Sequence, residues 1–187
     1  MTTLSEQINK DYWDGISKFK QQNYEWLLQQ KRYATHSVTL TFDPKKIRSV
    51  LRRAELDIPL NAQSLVEEYK KEMRYFSCLL RRSLFGKTAE RFHNRLLLIP
   101  VLEGLETGKM PHYHCTIGVD AKRLNVADTK IKECWERTRF CGYHNEVKPF
   151  RDEGWLGYNN KKTMSINQQA IDWDNVLVPS SSQSTLG

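Results

Sequence analysis

Apolar residues recur along this chain with two different periods, and each change of period marks an element. From Ser5 to Arg32 the apolar positions Ile8, Tyr12, Ile16 and Phe19 fall four, four and three apart, followed by Tyr24, Leu27 and Leu28. That spacing is helical. Gly15 weakens the middle, so one long or two shorter helices are expected ahead of the core. From Thr35 to Phe42 the period drops to two. Val38, Leu40 and Phe42 share one face with His36, while Thr35, Ser37, Thr39 and Thr41 share the other. Successive side chains on a strand point to opposite faces. The apolar face therefore seeks a core and the hydroxyl face looks outward. His36, on the core side, reads as a partly buried histidine and not as a ligand.

Asp43-Pro44 closes this strand, and Lys45 to Arg53 can form a short basic helix. Leu65, Tyr69, Met73, Phe76 and Leu80 then repeat at helical spacing, which predicts a strong amphipathic helix ending near Gly86. Asn61 or Ser64 can cap it, with Glu67 in capping-box register to Ser64. Leu96 to Val101 is a short apolar run read as a strand. Pro100 lacks a donor, so that strand belongs at an edge or at a bulge. Glu103 to Gly108 turns the chain, and a second strand follows to make a hairpin. Val126 to Phe140 reads as a helix with Ile131, Cys134 and Trp135 inward. Glu146 to Phe150 is a further strand, and Glu153 to Thr163 is helical despite poor helix formers. After about Gln168 the chain is polar, and Ser180 to Gly187 is expected to be disordered. The domain reading is a helical extension over 1–33, one domain over 34–167 and a polar tail over 168–187.

Composition bounds the class. Of 187 residues, 39% are hydrophobic and 27% charged, the balance of a soluble globular protein with a moderate core. No apolar run approaches the roughly 20 residues of a membrane span. The N-terminus carries no secretory pattern. Four cysteines without a Cys-x-x-Cys suggest free thiols in a reducing, cytoplasmic setting. Cys134, Cys141 and His144 are spaced too irregularly to argue for zinc. The net charge of +7 implies a polyanionic partner. Between Lys45 and Arg95 bases outnumber acids, which favours a nucleic-acid footprint over the solvated helical face that most charge runs are.

The chemistry gathers on the strand Met110 to Val119. Alternation puts His112, His114, Thr116 and Gly118 on one face, and Tyr113, Cys115, Ile117 and Val119 on the other. His-x-His on a strand aims two imidazole nitrogens at one divalent ion. Glu103, at the hairpin's open end, could bring its carboxylate to the same point. Farther on, Tyr158 is followed by Lys161 and Lys162 at i+3 and i+4, one helical face. A phenol is a weak nucleophile near neutral pH, with an ordinary pKa of about 10. A neighbouring ammonium and a metal would favour the phenolate.

Three elements stand in order: the hydroxyl-rich strand His36 to Phe42, Pro111-His112-Tyr113-His114, and Tyr158-x-x-Lys161. In this the chain resembles the HUH endonuclease superfamily, particularly the rolling-circle replication initiator (Rep) branch, over roughly 35–163. The resemblance implies an α+β fold, an RRM/ferredoxin-like antiparallel sheet of about five strands backed by helices. It implies that His112 and His114 bind one Mg or Mn ion, with Glu103 as third ligand and Glu106 as the weaker choice. Tyr158 would attack a phosphodiester of single-stranded or hairpin origin DNA, leaving a 5′-phosphotyrosine and a free 3′-hydroxyl. Lys161, with Lys162 as fallback, would stabilise the phosphate charge. Thr39, Thr41 and Lys162 would contact DNA. No P-loop occurs, so a host helicase and polymerase would be partners. The relatives within the superfamily to weigh against this are single-tyrosine transposases, whose tyrosine is usually followed by a glutamine. From another class comes a non-catalytic single-strand-binding module, which needs surface aromatics for stacking. In the key strand the one aromatic, Tyr113, falls on the core face.

Overall fold

The structure is a computed structural model, and it describes residues 18–19, 21–86, 95–105, 109–151, 155 and 171–179. Helix α1 covers residues 21–30 and runs into a 3-10 turn at Lys31–Tyr33. Strand β1 (His36–Thr41) follows, then helix α2 (Pro44–Arg53). Asp43 caps α2, its Oδ1 accepting from the Lys45 amide at 2.8 Å, and Pro44 opens the first turn. Pro fits there because that amide has no helical partner. Helix α3 (Val66–Phe85) leads to strands β2 (Leu97–Glu103) and β3 (His112–Gly118). Helix α4 (Leu124–Glu136) and strand β4 (Glu146–Pro149) complete the set.

The sheet has four strands in the order β2-β3-β1-β4, all antiparallel. The element order β-α-β-β-α-β with this strand order is the split βαβ, ferredoxin-like arrangement. The fold is therefore the expected α+β class, with four strands in place of five. Alternation decides its layers. Val38, Leu40, Phe42, Leu98, Leu102, Tyr113, Cys115 and Ile117 point to one face and pack beneath α3 and α4 with Tyr69, Met73, Phe76, Leu80, Ile131 and Trp135. The helical spacing read in α3 holds: Tyr69, Met73, Phe76 and Leu80 are fully buried. Its start differs from expectation. The helix opens after a 3-10 turn at Gln63–Leu65 without a side-chain cap, and Asn61 instead donates to the Leu105 carbonyl at 3.0 Å. Gly86 ends it with φ of 73°, a left-handed value that glycine adopts without strain.

On the opposite face, Leu97, Ile99 and Val101 of β2 form a smaller cluster with Leu27 of α1 and Ile171. The segment 171–179 corrects the polar-tail expectation. It bridges the outer edge of β2 through Leu177↔Leu98 and Ile171↔Val101, and the Asp172 amide donates to the Pro100 carbonyl at 2.9 Å. β2 is thus the edge strand that Pro100 predicts, and Pro100 directs its donorless side at this segment. Residues 1–17, and most of 152–170, lie outside the described residues. Among the described residues no helix is long and apolar enough to cross a membrane.

Candidate metal centre

The face of the sheet away from α3 and α4 carries the polar residues that alternation assigns to it. The register sets them in rows. Glu103 pairs with His112 and His112 with Thr41; Val101 pairs with His114 and His114 with Thr39. Directly opposed residues on one face are close enough to touch, so the strand pairing by itself brings Glu103, His112, His114, Thr39 and Thr41 together. The register also corrects one detail. Glu103 is the last β2 residue before the turn, so it sits at the closed end of the hairpin and not its open end.

Three ligand atoms converge. Nε2 of His112 and Nε2 of His114 are 3.2 Å apart. Glu103 Oε2 lies 3.8 Å from His112 Nε2 and 3.6 Å from His114 Nε2. One ligand atom from each of the three residues lies within 4.8 Å of the others. With metal–ligand bonds of ~2.1 Å, neighbouring ligands on one ion stand about 3.0 Å apart at octahedral angles. The imidazole pair, at 3.2 Å, is close to that spacing, and the carboxylate oxygen, at 3.6 and 3.8 Å, stands less than 1 Å outside it. The Glu103 and His114 side chains are 13% and 12% exposed, so the cluster is largely sheltered from solvent without being sealed.

The rings are oriented from behind. His112 Nδ1 lies 2.9 Å from the Met110 carbonyl oxygen. A carbonyl can only accept, so Nδ1 carries the proton and the Nε2 lone pair faces the cluster. His114 Nδ1 lies 3.1 Å from Thr39 Oγ1, a hydroxyl that can serve either tautomer. The indole of Trp155 meets the His114 ring edge-on, centroids 5.2 Å apart. Thr41 is held by Asn145, whose Oδ1 accepts from the Thr41 amide at 2.8 Å and from its hydroxyl at 3.3 Å. The two threonines expected to meet phosphates are thus engaged first with protein partners.

Beneath this face, on the core side, the Tyr113 phenol and the Cys115 thiol are held protonated. Burial, reinforced by Asp172, holds the Tyr113 phenol well above its ordinary pKa, and burial does the same for the Cys115 thiol. Tyr113 donates to Asp172 Oδ2 at 2.9 Å. His36 is buried, as expected of a non-ligand, with Nε2 3.0 Å from Asp128 Oδ1. Burial lowers its pKa in spite of that carboxylate, because Asp128 is mostly solvated and screened. Tyr158, Lys161, Lys162 and Glu106 fall outside the described residues. Sequence reasoning missed Met110, Asn145 and Trp155: a main-chain acceptor leaves no residue signature, and the other two acquire their roles only through tertiary contact. Set against known families, curated proteins and solved structures, the chain matches no family model, no curated protein and no solved structure.

Proposed function

We propose that this protein is a metal-dependent, single-tyrosine HUH-type nickase and strand transferase acting on single-stranded or hairpin origin DNA. The observation that carries the reading is the convergence of Glu103, His112 and His114 on one point at one end of a ferredoxin-like sheet. Two imidazoles and one carboxylate form a borderline donor set suited to Mn and tolerant of Mg, although the same set also serves Fe(II). The bound ion supplies Lewis-acid polarisation of a phosphodiester.

Tyr158 is the nucleophile in this reading. Its phenol oxygen forms a bond to phosphorus as the bond to the 3′ oxygen breaks, and the phenol's proton leaves to solvent while the 3′ oxygen gains one. The phosphotyrosine retains the energy of the phosphodiester, so the reverse attack rejoins a strand. Lys161 neutralises charge on the reacting phosphate, with Lys162 beside it. Five bases on α2, Lys45, Lys46, Arg48, Arg52 and Arg53, with no acid among them, supply attraction to the DNA backbone. The protein would act in the cytoplasm with a host helicase and polymerase.

Incubation with labelled single-stranded DNA and Mn, followed by a denaturing gel, tests this. A covalent adduct is expected, absent with chelator and in Tyr158→Phe. Full cleavage by Tyr158→Phe would remove the nucleophile assignment, and metal-dependent cleavage by His114→Ala would remove the ligand assignment.

A further inference from the structure

Tyr143 is 82% exposed, the most solvent-accessible of the large apolar side chains among the described residues. A single exposed tyrosine is ordinary on a protein surface. What sets this one apart is the rigidity and position of its support. The turn that carries it is clamped to the end of β1. Phe42 bridges Cys141, the Gly142 amide donates to the Thr41 carbonyl at 2.7 Å, and the Asp43 amide donates to the Phe140 carbonyl at 2.8 Å. Asn145 Nδ2 closes the turn on the Gly142 carbonyl at 2.7 Å. Gly142 is pressed so close that a Cβ there would lie 2.7 Å from Thr41 Oγ1 and 2.9 Å from the Phe42 backbone.

The strand residue so clamped, Thr41, is the cross-strand partner of His112. The tyrosine therefore stands at the metal end of the sheet. A cation is fixed beside it: Lys46 donates to the Cys141 carbonyl at 2.8 Å and holds its ammonium 5.8 Å from the Tyr143 ring centre. Lys46 belongs to the acid-free basic helix α2, which begins three residues past Thr41. A preorganised aromatic face with an ammonium alongside matches a base and the phosphate attached to it. A neutral apolar peptide would have no use for the charge.

We propose that Tyr143 and Lys46 form a stacking platform for one base of single-stranded DNA, holding the strand beside the metal centre. This rests on the preceding reading for the identity of the polymer, and it uses no step of the chemistry. Base–aromatic stacking is largely indifferent to sequence, so the platform fixes position and not specificity.

The test is fluorescence anisotropy with labelled oligo(dT) in chelator, where no strand is cut. Tyr143→Ala is expected to weaken binding roughly 5- to 150-fold, and Tyr143→Phe, which keeps the ring, to stay near the parent. A strand of the same length built from abasic sites is expected to bind parent and Tyr143→Ala alike. Parent-like binding of oligo(dT) by Tyr143→Ala would overturn the platform, as would an equal loss on the abasic strand. The adduct assay with Mn separates the two ideas. An adduct with an unaffected Tyr143→Ala leaves the nuclease standing without the platform. No adduct, with ring-dependent binding, leaves a stacking module without the nuclease.

Discussion

Nε2 of His112 and Nε2 of His114 stand 3.2 Å apart with Glu103 Oε2 within 3.8 Å of each. Side chains two apart on one strand face ordinarily stand side by side, roughly 6.6 Å apart at the backbone. Here the Met110 carbonyl and the Thr39 hydroxyl turn them toward one another, which is the preorganisation a metal site requires.

Mn titrated into the protein is therefore expected to raise its Tm. A ligand at roughly a hundredfold excess over its Kd stabilises the native state by about 2.7 kcal/mol. His112→Ala and His114→Ala should abolish the rise, and Glu103→Gln should weaken it. Differential scanning fluorimetry with Mn, Mg and Zn in turn reads both affinity and preference. A rise of parent size in His112→Ala would show that the ion binds elsewhere.

Thr39 sets the ring of His114 from behind, so its effect should appear in metal affinity. Partners that orient a metal-binding histidine are worth roughly 10- to 100-fold in affinity. Thr39→Val keeps the shape and removes the hydroxyl, and Mn affinity by calorimetry should fall within that range. Thr39→Ser should recover most of it. Parent-like affinity in Thr39→Val would leave the hydroxyl free for another role, such as the phosphate contact that its outward position suggests.

Much of this centre is legible in the sequence alone. Alternation alone separates His112 and His114 from Tyr113 and Cys115, and places Val38, Leu40 and Phe42 under the helices. Pro100 announces an edge strand because it can donate to no neighbour. What was not legible depends on partners distant in sequence. Ile171 and Leu177 lie in a stretch whose average polarity reads as a tail, yet they bridge the open side of β2. Asn61 has the composition of a helix cap and is drawn off by the Leu105 carbonyl. Tyr143 stands off every motif. Its interest comes from the turn beneath it, which forms only when Cys141 meets Phe42 across the sheet.

Asp172 gives a pH dependence of unusual sign. Burial raises its carboxyl above the ordinary 3.8, against the opposing bonds from Asn175 and Tyr113. Between 3.8 and the folded value the native state binds more protons than the unfolded chain, so stability falls as pH rises through that window. The ionised carboxylate thus works against the fold near neutrality. Asp172→Asn keeps an oxygen for the two donors and removes the charge. The Tm of Asp172→Asn relative to the parent should be higher at about pH 7 than at about pH 4. A difference that is constant across that range would mean Asp172 titrates alike in both states.

The last prediction concerns the segment on the β2 edge. Leu98 exchanges two backbone hydrogen bonds with Leu177, each 2.9 Å, and Pro100 accepts from Asp172. Ile171 is buried against Leu97, Ile99 and Val101, and the Trp173 ring packs on Trp26 of α1 at 4.9 Å. A chain ending at Ala170 would lose all of this together. Burial of Ile171 alone contributes about 1.5–3 kcal/mol, and Tyr113 would be left with a buried hydroxyl and no acceptor, which costs about 1–3 kcal/mol more. The uncovered strand Leu97–Glu103, apolar on both faces, would then present unpaired carbonyls and amides to other molecules. The truncated chain is expected to unfold at lower urea and to form oligomers that light scattering detects. Because Glu103 lies on that same strand, its Mn affinity should fall as well. A monomer with parental urea midpoint would mean that the sheet needs no cover at this edge, and that the metal centre stands independently of residues 171–179.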